Sequence, residues 1–191
     1  WERSLAGHHI MRTSARIRGI EDTLKINSAG LFQRSVMYMS EPMIDALEAE
    51  GFPRPDPHEY RSRYIAEEDF TDVDLVLGFE DSHVPRVLEL AEEFSPELKN
   101  KLEGRIYTPS RLIGPKKDII APGDLTGKVP GYKLFRMLPY SLGKELIYLA
   151  VGKTHYEDNQ AVLKVHRKVV REIAYYTQVA MEKIINDFEL V

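Results

Sequence analysis

Arg3 and Ser4, at the start of a predicted helix, are the residues of this chain best suited to gripping an anion. The open N–H groups of a helix's first turn and the helix dipole both favour negative charge there. A guanidinium adds parallel donors that match the edge of a phosphate, which an ammonium does not. On local grounds alone, a capped helix with a surface arginine is the commoner meaning of such a pair. Other chemistry-bearing types carry less. His8 and His9 are adjacent, so on a helix their side chains diverge by about 100° and do not clamp one metal. His155 and Asp158 make a loose H-x-x-D spacing, without HExxH or a Cys/His cluster. Gly143-Lys144 lacks the upstream glycine of a Walker loop, position 138 being Leu, and Glu145 stands where Ser or Thr would hold magnesium. No cofactor and no metal are therefore expected. Lys164, Arg167, Lys168 and Arg171 recur at helical spacing opposite an apolar stripe, which reads first as a solvated face and second as an anion or partner surface. Zero cysteines exclude disulfides, thiolate-bound zinc, iron–sulfur clusters and any thiol nucleophile within these residues.

The elements that must position these groups follow from periodicity. A length of 191 residues suits one domain with its own core. With 26 Lys+Arg against 30 Asp+Glu, the basic excess of a nucleic-acid binder is missing. No apolar run reaches the roughly 18–20 residues of a membrane span. The start, Trp-Glu-Arg-Ser, has neither an initiator Met nor a leader pattern, so a cytoplasmic protein is expected.

A helix is predicted from Ser4, its N-cap, to about Gly19, then a strand over 23–29 with Leu24 and Ile26 alternating. A helix over 41–51 (Met43, Ile44, Leu47) leads into the Pro-rich connector 52–58. One helical turn is read at 66–70, and the apolar run 74–79 reads as a strand covered on both faces. A helix over 82–94, a strand over 105–113 and a long helix over 158–188 complete a strand–helix alternation that argues for a parallel α/β sheet. The segment between them, rich in Gly and Pro with apolar patches at 134–138 and 146–151, reads as an inserted lid at about 125–153.

The order of short motifs resembles the low-molecular-weight protein-tyrosine phosphatase family. Arg3-Ser4 opens a helix, Asn27-Ser28-Ala29-Gly30 closes a strand, and Pro42, Ala46-Leu47-Glu48 and Gly51 follow. Arg61-Ser62-Arg63 with Glu68-Asp69-Phe70, then Asp74-Leu75-Val76-Leu77, Ser82-His83-Val84 and Arg86-Val87-Leu88-Glu89-Leu90, continue the pattern. The match spans roughly residues 1–95 and the last helix.

The resemblance implies a single domain over 1–191: a three-layer, doubly wound, four-stranded parallel sheet whose first strand is missing from the sequence as written. It implies hydrolysis of phosphate monoesters, on a phosphorylated protein or a small molecule, through a phosphocysteine. In the family's C-x5-R-S loop, Arg3 would clamp the phosphoryl oxygens and Ser4 would support the thiolate. The cysteine itself, six places before Arg3, would fall ahead of Trp1. The family's general acid, an Asp before Pro, corresponds here to Ala121. Asp118 and Asp124 are the nearby substitutes, with Asp124 slightly preferred beside Gly123. No turnover is expected from a chain without the nucleophile. The alternatives are a non-catalytic phosphate-binding or regulatory module, or an arsenate reductase-like protein, whose thiol relay these residues lack. The apolar patches of the insertion would serve as a substrate lid or as a homodimer contact.

Overall fold

The computed structural model describes residues 2–31, 36–115, 118–119 and 155–190, the last helix with its side chains from residue 160 onward. The expected insertion at 125–153, Ala121, Asp124 and the apolar patches at 134–138 and 146–151 lie outside the described residues.

Helix α1 (Glu2–Ile17) begins two residues earlier than its sequence signals suggest. Glu2 supplies the acidic first turn that the helix dipole favours, so Ser4 lies inside that turn and is not the N-cap. The helix ends where Gly19 adopts a φ of 70°, a left-handed closing position. Strand β1 (Met37–Tyr38) leads to α2 (Glu41–Ala49), with Pro42 in its first turn and Gly51, at φ 88°, just past its end. Strand β2 (Arg61–Ser62), α3 (Glu68–Thr71) and β3 (Val76–Leu77) follow. Then come α4 (His83–Phe94), α5 (Pro96–Leu102), β4 (Ile106–Tyr107), α6 (Pro109–Leu112) and α7 (His155–Phe188). Sequence periodicity did not separate α5; its signal is Ser95, whose hydroxyl accepts from the Glu97 N–H while Pro96 fills the first position.

The described strands form two pairs: β1 with β2 antiparallel, and β3 with β4 parallel. The expected four-stranded parallel sheet is thus not what the described residues build. The predicted strand at 23–29 does not form: Thr23 lies in a turn and residues 24–29 have no regular secondary structure. Its Leu24 and Ile26 do pack inward, beside Met11 and Ile184, so alternation correctly marks which side chains are buried. A strand also needs a neighbour to complete its ladder, and alternation is silent about that. Pairing begins only at Gly30, which bridges Tyr64 in parallel, donating to the Arg63 carbonyl at 2.8 Å. Likewise the predicted strand 105–113 is cut short at Tyr107, because Thr108-Pro109 opens the turn of α6.

Helices cover both faces of the β3–β4 pair. Leu77 faces a core built from Leu5, Ile10, Met43, Leu47, Val170, Ile173 and Tyr176, supplied by α1, α2 and α7. Its neighbour Val76 faces the opposite core of Phe70, Val87, Leu90, Leu102 and Ile106, from α3, α4, α5 and β4. This is the alternation expected of a doubly covered strand. The tie between α2 and α7 is also ionic. Glu50 accepts from Arg167 Nε at 2.5 Å and Arg171 Nε at 2.6 Å. The basic run on α7 is therefore partly an internal clamp; Lys164 and Lys168 keep the solvated positions.

Candidate functional site at the rim of the parallel strands

In an open parallel arrangement, the chain leaving the strands' carboxyl ends forms the place where ligands are held. Here the segment leaving β3 is Gly78-Phe79-Glu80-Asp81, and α4 starts immediately after it. Gly78 lets the two sides of the turn pack closely: a Cβ there would lie 3.1 Å from His83 Cβ and 3.4 Å from Thr108 Cγ2, so a neighbour would have to give by a few tenths of an ångström. The Asp81 carboxylate accepts from Thr108 Oγ1 at 2.5 Å and from the Ser110 hydroxyl, pinning this turn to the end of β4. Those two hydroxyls, Ser110 first, hold the Asp81 pKa below the ordinary carboxylate value.

Helix α1 brings Arg3 to this rim. Its side chain is only 14% exposed and its Nη1 lies 2.5 Å from Glu80 Oε1. The same nitrogen donates to the Ile119 carbonyl, and the guanidinium carbon stands 5.9 Å from the centre of the Phe79 ring. Burial alone would raise the Glu80 pKa, but the Arg3 hydrogen bond and charge, with His83 and the Ser82 hydroxyl, outweigh it and hold it below the ordinary value. Glu80 is therefore an anion at neutral pH, paired to a cation in a partly dry corner.

His83 completes the cluster. Its Nδ1 accepts the Phe79 N–H at 3.2 Å, so the neutral ring carries its proton on Nε2. Burial first of all, aided by the Arg3 charge against the opposing Glu80 and Asp118, lowers the His83 pKa. The imidazole is thus uncharged at neutral pH.

Of the residues singled out by sequence, Arg3 and Asp118 meet at this rim. Asp118 is exposed and its Oδ1 accepts from the Asp81 N–H at 3.1 Å, while the next residue returns to the sheet, Ile119 N–H donating to the Phe79 carbonyl at 2.9 Å. Ser4 is half-buried in the first turn of α1. Asp124 falls outside the described residues. Sequence reasoning gave no role to Glu80, Asp81 or His83, although their place directly after an apolar strand run was a usable signal. His8 and His9 lie elsewhere, both edge-on to Tyr60, with ring centroids 5.3 and 5.1 Å from it. His9 spans Tyr60 Oη (3.0 Å) and the Pro53 carbonyl (2.7 Å), a satisfied core histidine.

No curated protein matches the chain. A family model does: that of low molecular weight phosphotyrosine protein phosphatases aligns with residues 2–102. That span takes in α1 with Arg3, the turn after β3 and both helices α4 and α5. It covers more than half of the 191 residues and every described rim residue except Thr108, Ser110, Asp118 and Ile119. A guanidinium presented at the ends of parallel strands, within an α/β arrangement matched over that length, makes this chain a member of the low molecular weight phosphotyrosine protein phosphatase family.

Proposed function

We propose that this chain is a phosphatase scaffold whose rim binds the phosphoryl group of a phosphate monoester, on a protein or a small molecule. The observation that carries the reading is the position of Arg3. Its guanidinium is mostly buried, lies at the C-terminal rim of the parallel pair, and is held there by Glu80 and the Ile119 carbonyl. Arg3 is the oxyanion clamp and Ser4 the supporting hydroxyl. Asp118, at the same rim, and Asp124, outside the described residues, are the candidates for protonating a leaving group. The parallel β3–β4 pair, covered by helices on both faces, supports reading the domain as part of a doubly wound sheet.

Hydrolysis by the family route needs a thiolate to attack phosphorus and expel the ester's alcohol, which takes up a proton, leaving a phosphocysteine whose S–P bond water then cleaves to release phosphate. No side chain among these 191 residues can take that part. Arg3 can stabilise charge on the equatorial oxygens, but it supplies no nucleophile. The second reading, a phosphate-binding or regulatory module, is favoured by Ala121 where the general acid is expected. Both readings require Arg3-dependent binding of phosphate. Calorimetric titration of these 191 residues with inorganic phosphate should show weak binding that Arg3→Ala abolishes. Equal binding by that variant would refute the assignment. Incubation with p-nitrophenyl phosphate and EDTA should release no nitrophenol above the buffer rate, and sustained release would show a nucleophile other than cysteine.

A further inference from the structure

We infer that Glu80 is a positioning and specificity-determining residue of this rim: a built-in anion that orients Arg3 through Nη1 and weakens its hold on any oxyanion but a highly charged one. The inference rests on the phosphate-binding reading of Arg3. Only Nη1 of the guanidinium is engaged among the described residues, by Glu80 at 2.5 Å and by the Ile119 carbonyl. Among the described residues the contacts of this guanidinium are made through Nη1, which leaves Nε and Nη2 as the pair of donors that could meet an oxyanion bidentately. The corner is set by these two anchors and by the Phe79 ring beneath the guanidinium.

Glu80 fixes the guanidinium's direction and at the same time cancels its charge. The groups facing this carboxylate are Arg3, the Ser82 hydroxyl at 3.2 Å, and His83, which is neutral, so Arg3 is the full positive charge against it. Asp118 adds negative charge on the same rim. An oxyanion held by Nε and Nη2 would share one guanidinium with Glu80, close enough for like charges in a partly dry corner to repel. A monoanion would gain little from so compensated an arginine. A phosphate dianion, with more charge and a bidentate edge, gains enough to compete. Glu80 thus lowers affinity for all anions and biases the rim towards dianions.

The test uses Glu80→Gln, which keeps an oxygen acceptor for Nη1 and removes the charge. Inorganic phosphate should bind this variant at least tenfold more tightly than the original chain, and chloride or nitrate should compete better against it. A merely structural role for Glu80 predicts weaker binding. Unchanged or weaker phosphate binding by a variant with an unchanged melting temperature overturns the inference. If the original chain still binds phosphate through Arg3, the phosphate-binding reading survives that result. If neither chain binds phosphate, or Arg3→Ala binds as well as the original, the reading and the inference fall together. A second measurement needs no variant: the Glu80 side-chain carboxyl carbon, followed by NMR, should shift as phosphate saturates the original chain, because the guanidinium beside it then also holds an oxyanion. A resonance that stays still at saturation also overturns the inference.

Discussion

Replacing Gly7 by alanine should destabilise the fold through one identifiable contact. Gly7 lies in α1 facing the sheet, and a Cβ there would sit 2.8 Å from Phe79 Cζ, with Ile173 Cγ2 next at 3.7 Å. Ordinary carbon contacts begin near 3.5 Å, so the ring must retreat by roughly 0.7 Å. It has little room, because it also packs edge-on against Tyr176, ring centroids 5.9 Å apart, within a continuous core. Overpacking of this size costs about 1–3 kcal/mol. Exchanging a helical glycine for alanine returns about 1 kcal/mol, leaving a net loss of up to about 2 kcal/mol. For a chain of this length that is a fall in melting temperature of up to about 8 °C. Urea unfolding followed by circular dichroism measures it, and a double-mutant cycle with Phe79→Leu isolates the contact. Shortening the ring removes the colliding atom, so Gly7→Ala in that background should be neutral or stabilising. An equal loss in both backgrounds would refute the claim that Phe79 demands the glycine.

Three further outcomes follow from particular bonds. His8, whose pKa is lowered to about 4 by burial first and then by Arg12 and His9, stays neutral in the folded chain where the unfolded chain would protonate. Stability should therefore fall as pH drops from about 6.5 to about 4, by about 3 kcal/mol in all, and urea midpoints for His8→Gln across this range should show a smaller slope. Glu50, held below its usual pKa chiefly by the Arg171 hydrogen bond, contributes stability above the ordinary carboxylate pKa that is lost as pH falls through its folded value. Since Arg167 and Arg171 are well exposed, Glu50→Gln should cost only about 1 kcal/mol at neutral pH, read as a lower denaturation midpoint with an unchanged slope. Tyr176→Phe removes the 2.8 Å hydrogen bond to the Tyr107 carbonyl, but that oxygen keeps the Gly78 N–H. The loss should stay at about 1 kcal/mol by thermal denaturation, below the cost of an orphaned buried carbonyl.

What could be read from the sequence depended on how local its cause was. The helices α2 and α4 and the long α7 were legible because proline, glycine and 3.6-residue spacing act within a single turn or two, and Met43, Leu47, Val87 and Ile173 are all buried as their spacing implies. The run at Asp74–Phe79 was legible as a doubly covered strand because Val76 and Leu77 face different cores. Strand extent was not legible. Whether Leu24 and Ile26 belong to a ladder depends on a neighbour distant in sequence, and no property of 23–29 encodes it.

The site divides along the same line. Arg3 could be singled out because helix starts and guanidinium chemistry are local facts. Its partners could not, because Glu80 and Ile119 reach it only through the packing of α1 across the end of β3. The consequence is more than a longer residue list. An arginine read alone is a positive charge awaiting an anion. The same arginine beside a carboxylate is a nearly neutral pair, and whatever binds must first overcome an attraction already made. Affinity at this rim is then set by a difference between two charge pairs, and a single substitution that leaves every apolar contact intact can change its sign. Motif order identifies the family because it records which residues are present; the balance of charge at Arg3 is legible only once the folded chain has brought residues 3, 80 and 119 together.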